Sequence, residues 1–266
     1  MKFFKYLSLL VVLTFITACS TVPGTGRSQF TPLPDSYMSN LSLTQYREVI
    51  KSSKLSKNKQ QTDMVRNVGL KIARSVEDLL KEEGVEMKFD WEFNLIEDKQ
   101  VNAWCMPGGK IAVYTGILPY TQDEDGLAVV MGHEVAHALA RHGNERMSAG
   151  LGITVLTAAV AIGLRDYDPA TRNLFLGAFG AGATVGFVLP FSRSHETEAD
   201  KLGLQLMARA GYNPRAAIPF WTRMSKAGGG SPPEFLSTHP SHETRIKNLE
   251  EFMPEALMYY FPQKNR

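Results

Sequence analysis

Apolar residues recur at helical spacing in one stretch of the chain and alternate with polar residues in the next. Across residues 62–83 they return every three or four positions, which predicts an amphipathic helix that ends at Gly84. Across residues 89–95 they alternate with polar residues, as in a half-buried strand, and a β-branched run at 111–116 follows Gly108-Gly109. These patterns predict a core helix beside a small sheet with a Gly-Gly turn.

Three longer apolar segments follow the predicted sheet. Residues 122–147 predict one helix, because Thr121 and Glu124 have the spacing of a capping box. Residues 151–164 and 174–191 could form a transmembrane hairpin, but the first run is short and both are diluted with Gly and Ala. We therefore expect buried or cleft-covering helices, and membrane contact stays open.

The first of these helices carries His133, Glu134 and His137. Histidines four residues apart on a helix project from one face and can reach one metal ion, and the adjacent glutamate can accept a proton from metal-bound water. They could instead be ordinary polar residues on a helix that passes a core, but burying a carboxylate there is costly unless it is paired. The pattern predicts a hydrolytic metal site, from which His142 is expected to face away.

A third ligand is predicted at the start of a later helix. Glu196 and Asp200 lie one turn apart, and a carboxylate from a separate helix completes a catalytic His₂Glu zinc site. The alternative is an acidic helix start favoured by the helix dipole. We expect Glu196 to bind the metal, Asp200 to orient a ligand imidazole, and Glu198 to lie at the surface or in a local salt bridge.

Residues 1–18 have the composition of an export signal. Lys2 and Lys5 precede an apolar run, and the end of the segment resembles a bacterial lipobox, which implies cleavage before Cys19 and lipidation of its sulfur. A plain secretory signal is the alternative. The remaining cysteine, Cys105, is expected to be a small buried hydrophobe, and a lipidated Cys19 leaves no disulfide.

The organisation of the exported chain follows from composition. Residues 19–40 are rich in Thr, Pro, Gly and Ser and predict a tether, and residues 41–266 are enough for a single domain. Ser20 follows the lipidation site where an inner-membrane retention signal would carry Asp, which favours the periplasmic face of a bacterial outer membrane. The net charge of +2 does not indicate a nucleic-acid partner.

Three segments in a fixed order resemble metallopeptidase family 48, the HtpX and CAAX prenyl protease family. They are residues 133–137, residues 196–200 and Thr238-His239-Pro240, and the resemblance extends over about residues 41–252. It includes Asn102-Ala103 and Pro107-Gly108-Gly109 of the predicted sheet. Within the family, the chain resembles the soluble lipoprotein branch of LoiP and the protease domain of BepA.

The resemblance implies an α+β, mainly helical gluzincin fold with a small β-sheet bordering the active-site cleft. It implies one Zn²⁺ held by His133, His137 and Glu196, with Glu134 as general base. It also marks His239 as an active-site residue, either a transition-state stabiliser or a reversible fourth ligand.

The same resemblance assigns two supporting roles. Arg245 is expected to brace the loop of His239, and Asn102 and Ala103 are expected to bind substrate along the cleft-edge strand.

The expected function is a zinc metalloendopeptidase of the bacterial cell envelope that hydrolyses unfolded or misassembled proteins. Its partners would be protein or peptide substrates and, through Cys19, a membrane, whereas the oligomeric state is left open. The alternatives are a membrane-embedded processing protease and a zinc-stabilised, non-catalytic, chaperone-like lipoprotein.

Overall fold

Helices dominate the protein, and two small sheets accompany them. The computed structural model describes residues 19–183, 192–227, 233–239 and 244–261, so the predicted signal at 1–18 lies outside the described residues. The elements are β1 (Cys19–Thr21), β2 (Ser28–Phe30), α1 (Asp35–Ser52), α2 (Lys59–Glu83), β3 (Glu92–Ile96), β4 (Ala103–Met106), β5 (Lys110–Tyr114), α3 (Leu118–Thr121), α4 (Glu124–Leu139), α5 (His142–Gly163), α6 (Pro169–Ala183), α7 (Arg193–Arg209), α8 (Ala217–Lys226), α9 (Glu234–Thr238) and α10 (Arg245–Leu257), with single 3₁₀ turns at Thr115–Ile117 and Pro214–Ala216.

The centre of the fold is the crossing of α4 and α7, where two glycines let the helix backbones touch. A Cβ built on Gly203 would lie 2.9 Å from the backbone nitrogen of His133, and one on Gly132 would lie 2.9 Å from the carbonyl oxygen of Gly203. Glycine is therefore required on both helices for this approach. The crossing places the metal motif of α4 directly against α7.

The helix α2 packs its apolar stripe on this centre, as its periodicity predicts. Val68, Ile72 and Val76 are fully buried in the core cluster. The helix ends at Gly84, which has φ +66° and donates its backbone N–H to the carbonyls of Leu80 and Lys81. A left-handed glycine is the usual end of a helix, because other residues pay a steric cost there.

The small sheet has the order β3-β5-β4, with β3 parallel and β4 antiparallel to β5. Gly108 and Gly109, with φ of +87° and +88°, turn the chain between β4 and β5. The edge strand β4 packs against α4. The mainly helical α+β fold with a sheet beside the metal motif is therefore confirmed.

The segment 19–40, expected to be a tether, packs on the domain instead. Its strands β1 and β2 pair antiparallel, and Val22 between them is 1% exposed. Arg27 forms ion pairs with Glu145 of α5 and Glu198 of α7. Composition could not reveal these long-range pairs. The strand β1 begins at Cys19, whose lipidation stays a prediction.

The metal-motif helix is shorter than the predicted 122–147. Its N-cap is Asp123, whose carboxylate accepts the backbone N–H of Gly126, whereas the hydroxyl of Thr121 donates to a carbonyl in α3. The helix ends at Leu139, and Arg141, with φ +56°, reverses the chain into α5. This left-handed residue is why the single-helix prediction was wrong.

Residues 151–164 and 174–177 are not buried, so the expectation of buried helices is wrong there, whereas the cleft-covering alternative stays a prediction. Val155 is 70% exposed and Leu174 is 72% exposed. Among the residues that the structure describes, α5 is the one helix long and apolar enough to cross a membrane, judged by length and composition alone. Residues 184–191 of the second apolar run lie outside the described residues.

Candidate metal centre

Four side chains from three segments converge in a buried group: His133 and His137 of α4, Glu196 of α7, and His239, which follows α9. The Nε2 atoms of His133 and His137 are 3.1 Å apart. The Glu196 carboxylate lies 3.3 Å from Nε2 of His137 and 3.4 Å from Nε2 of His133. Nδ1 of His239 is 3.0 Å from the same carboxylate. The structure thus brings the predicted ligands and His239 to one point.

His133 is oriented by Asp200, one turn after Glu196 on α7. Oδ1 of Asp200 lies 3.0 Å from Nδ1 of His133, which leaves Nε2 of His133 facing the group. A carboxylate behind a histidine sets the tautomer that can bind a metal. This is the contact that the predicted role of Asp200 requires.

Arg245 contacts two carboxylates of α7. Its guanidinium donates to Oδ1 of Asp200 at 2.6 Å and lies 3.3 Å from Oε2 of Glu196. The guanidinium also stacks on the ring of Trp221, 3.3 Å from its centroid. Loop residues 240–243 lie outside the described residues. These contacts position the two carboxylates, and the predicted bracing of the loop stays a prediction. Trp221 is a residue that the sequence did not single out.

Glu134 is buried beside the group and turned towards it. Its Oε1 lies 3.3 Å from Nε2 of His239, and its carboxylate accepts a backbone hydrogen bond from Cys105 of β4. Burial raises the pKa of Glu134 above its usual value, because a charged carboxylate loses its hydration there. A raised pKa suits a group that takes and returns a proton.

The pKa values of the predicted ligands are shifted by burial and by the charges of neighbouring side chains. Burial lowers the pKa of His137 well below its usual value, because its imidazolium would lose hydration. Burial also opposes the charge on His133, but the carboxylates of Asp200 and Glu196 outweigh it and raise that pKa to about 9. Burial favours the neutral form of Glu196, but three imidazoles outweigh this effect and lower its pKa.

The residues present fit a zinc ion. Nitrogen and carboxylate donors within 4.8 Å of one another are the donor set of a His₂Glu site. Oε2 of Glu196 is buried and accepts no hydrogen bond among the described residues, and the same holds for Oε1 of Glu134. Arg245 lies 3.3 Å from the first of these oxygens and His239 lies 3.3 Å from the second. A buried carboxylate oxygen is nevertheless costly to leave without a hydrogen bond, and a bound cation would remove that cost. Zinc is the cofactor of this centre.

Asn102 and Ala103, which were predicted to bind substrate, lie at the start of the edge strand β4. Asn102 accepts a hydrogen bond from the backbone of Tyr114, so the residues that point their backbone groups away from β5 are Ala103 and Cys105. The N–H of Ala103 donates to Oδ1 of Asn102 at 2.9 Å. The outer edge of β4 faces Glu134, whose carboxylate accepts a hydrogen bond from the backbone of Cys105. The Asn102 side chain occupies the outward N–H of Ala103.

A second buried network adjoins the centre, and sequence reasoning missed it. His142 is fully buried, and its Nδ1 lies 2.8 Å from Nδ1 of His137. Its Nε2 lies 2.8 Å from Glu198, which is 9% exposed rather than at the surface. The polar stretch around Gly143 was the available signal, because it does not suit a continuous buried helix.

Comparison with known proteins identifies relatives of the chain. Residues 68–253 match the profile described as Peptidase family M48. Mitochondrial metalloendopeptidase OMA1 of Schizosaccharomyces pombe is 42% identical over 62% of this chain and 48% of its own length. Metalloendopeptidase OMA1, mitochondrial, of Bos taurus is 33% identical over 94% of this chain and 49% of its own length.

A bacterial relative is more distant. The putative beta-barrel assembly-enhancing protease of Vibrio cholerae is 30% identical over 71% of this chain and 38% of its own length. The chain therefore spans about half, or less, of the length of these three relatives. The comparison shows the family, but it does not show the LoiP-like lipoprotein branch.

The predicted location is contradicted by these relatives. Residues 1–20 led us to expect a lipid-anchored protein on the periplasmic face of a bacterial outer membrane. The relatives from Schizosaccharomyces pombe and Bos taurus are instead named as mitochondrial proteins, and the latter matches 94% of the chain. The expected location rested on a short sequence pattern, whereas the match to the Bos taurus relative extends over most of the chain.

Proposed function

This chain belongs to peptidase family M48, and we propose that it is a zinc metalloendopeptidase that cleaves unfolded or misassembled proteins. The observation that carries the proposal is the buried group of His133, His137, Glu196 and His239 with the Glu134 carboxylate beside it. Zinc bound there supplies a Lewis acid for a peptide carbonyl and lowers the pKa of a water molecule.

Glu134 is the group that transfers a proton during hydrolysis of the peptide bond. Its carboxylate takes a proton from the attacking water and returns it to the leaving amine of the cleaved peptide. Burial, which raises the pKa of Glu134, brings the carboxylate closer to the proton affinity that both steps need. The backbone N–H of Cys105 holds the carboxylate in place on the side of the edge strand.

His239 lies within the buried group, next to the predicted ligand His133 and the predicted base Glu134. Its Nδ1 is 3.2 Å from Nε2 of His133, and its Nε2 is 3.3 Å from Oε1 of Glu134. With zinc held by His133, His137 and Glu196, an imidazole in this position would compete with substrate and water for the ion. We therefore favour the latent fourth ligand over the transition-state stabiliser. His239→Ala should then raise peptide hydrolysis, and a loss of hydrolysis would favour the stabiliser.

The surroundings fit an extended and therefore unfolded substrate. Ala103 and Cys105 point their backbone carbonyls out of the edge of the sheet, and an extended peptide can add to this edge by donating hydrogen bonds to them. A cavity of about 170 Å³ lies beside His137 and is lined by Met38, Met106 and other largely apolar residues. We propose that it takes an apolar side chain of the substrate. The Vibrio cholerae relative is named as a putative beta-barrel assembly-enhancing protease, which supports a misassembled substrate.

The test separates the metal ligands from the base. Purified protein should contain zinc and cleave casein or a peptide library, and Glu134→Gln should keep the zinc and lose hydrolysis. Glu124→Gln, the same substitution at an exposed position of α4, is the matched control and should behave as the wild type. Glu196→Ala should lose the metal. Unchanged cleavage by Glu134→Gln would refute the mechanism, and zinc without cleavage would favour the chaperone-like alternative.

A second candidate, a membrane-associated protease, is favoured by α5 and α6. The helix α5 has 22 residues, and only 6% of its apolar window is buried. Twenty-two helical residues span about 33 Å, close to the thickness of a bilayer core. Co-sedimentation with phosphatidylcholine vesicles should be lost in a Val155→Asp, Leu156→Asp double variant. Equal sedimentation of the variant and the wild type would reject this role.

A further inference from the structure

His142 occupies, next to His137, the place that Asp200 occupies next to His133. It is the first residue of α5 and is fully buried. The left-handed conformation of Arg141 turns the chain so that the ring of His142 returns to the end of α4. A non-glycine residue in this conformation costs energy, so the surrounding contacts must hold it.

His137, His142 and Glu198 form a line of hydrogen bonds. The donor and the acceptor in each bond follow from the chemistry of the metal centre. A histidine nitrogen that binds a metal must be free of its proton, so His137 carries its proton on Nδ1 when Nε2 faces the group. That N–H then donates to Nδ1 of His142, 2.8 Å away. His142 consequently carries its own proton on Nε2, which donates to Oε2 of Glu198 at 2.8 Å.

We propose that His142 is a positioning residue for the zinc ligand His137, with Glu198 as the charged end of the line. This inference rests on the zinc centre proposed above. A group that accepts the second N–H of a histidine ligand fixes its tautomer and increases its basicity. His142 does so as a neutral ring, and the Glu198 carboxylate polarises that ring from behind.

The N-terminal segment holds the far end of the line. Thr25 donates its hydroxyl to Oε1 of Glu198 at 2.6 Å, and Nε of Arg27 donates to Oε2 at 2.7 Å. Arg27 also donates two hydrogen bonds to the Glu145 carboxylate. These bonds fix Glu198, so the segment that packs across α5 and α7 supports the orientation of a metal ligand.

A second metal ion is the competing interpretation of this cluster. His142, Glu145 and His195 lie close enough together to hold a cation. However, the guanidinium of Arg27 already forms ion pairs with both Glu145 and Glu198, and each ring nitrogen of His142 has a hydrogen-bond partner. A metal ion would have to displace these contacts.

The test measures zinc affinity by competition with a chromophoric chelator, using the full chain. His142→Leu removes the acceptor for His137 and should weaken zinc binding roughly 10- to 100-fold. His142→Asn keeps an oxygen near the position of Nδ1 and should restore most of that affinity. The matched control is His195→Leu, which removes the ring stacked on His142. It should leave zinc affinity close to that of the wild type.

Melting temperatures of the zinc-free variants separate positioning from a structural role. A structural role would lower the melting temperature of zinc-free His142→Leu and leave the zinc affinity of the folded protein unchanged. If His142→Leu does not fold, Glu198→Gln keeps the volume of the line but removes its charge, and it should also weaken zinc binding.

Three outcomes would overturn the inference: wild-type zinc affinity in a folded His142→Leu or Glu198→Gln variant, no recovery in His142→Asn, or a second bound zinc that is lost with His142. Failure of the proposed function looks different, because the wild-type protein itself would then bind no zinc or cleave no peptide.

Discussion

Gly203→Ala tests whether the close crossing of α4 and α7 builds the metal centre. The added Cβ would lie 2.9 Å from the backbone nitrogen of His133, 3.0 Å from the carbonyl carbon of Gly132 and 3.1 Å from Cα of His133. These are backbone atoms, which cannot move aside as a flexible side chain can. The helices must separate, and Glu196 and Asp200 on α7 then move away from His133 on α4.

The size of the effect follows from the distances. Ordinary van der Waals contact for a Cβ begins at 3.4 Å and the shortest contact would be 2.9 Å, so the helices must separate by about 0.5 Å. Overpacking of this kind costs about 1–3 kcal/mol, partly offset by the better helix propensity of alanine, about 0.5–1 kcal/mol. A misplacement of about 1 Å in a catalytic centre can lower the rate roughly 100-fold. Activity should therefore fall far more than stability.

Three measurements on one preparation test this reasoning: zinc affinity by chelator competition, peptide hydrolysis and the urea midpoint of unfolding. Gly152→Ala is the control, because a Cβ there meets nothing within 4 Å and lies in the exposed helix α5. The control should keep full activity and be slightly more stable. Wild-type zinc affinity and hydrolysis in Gly203→Ala would refute the argument that the crossing sets the ligand geometry.

Three further predictions concern sites away from the crossing. Gly84→Ala should cost about 1 kcal/mol in urea unfolding, because Gly84 ends α2 at φ +66°. The Cys105 thiol, whose pKa burial raises, should react slowly with iodoacetamide until the protein unfolds. Burial favours protonated Glu145, but His195 and Arg27 outweigh it and lower its pKa to about 2. Its charged form therefore stabilises the fold above the ordinary carboxyl pKa, so the melting-temperature difference between wild type and Glu145→Gln should shrink as pH falls from 5 towards 2.

Local pattern predicted the parts of the fold that local chemistry determines. The periodicity of α2, the glycine at its end and the Gly-Gly turn between β4 and β5 each have a cause within a few residues. The reversal at Arg141 has no such cause. Its conformation is stabilised by distant contacts, including an ion pair with Asp35 and a hydrogen bond to Ser20. The polar stretch around Gly143 could indicate a break in the helix, but it could not indicate the left-handed turn at Arg141.

The metal centre also combines residues that local sequence predicts with residues that only the assembled fold brings together. His133 and His137 were predictable because helix geometry alone puts them on one face, and Glu196 because its chemistry completes a zinc site. Their supporting residues come from separate parts of the chain: His133 is backed by Asp200 and Arg245.

His137 is backed by His142 and Glu198, with Arg27 beyond. Each line of supporting residues ends in a different segment of the chain. A change in any of those segments should therefore alter the orientation of the metal ligands. Zinc binding and the packing of residues 20–30 should therefore depend on each other. A sequence motif identifies the ligands, but only the assembled fold can identify what holds them.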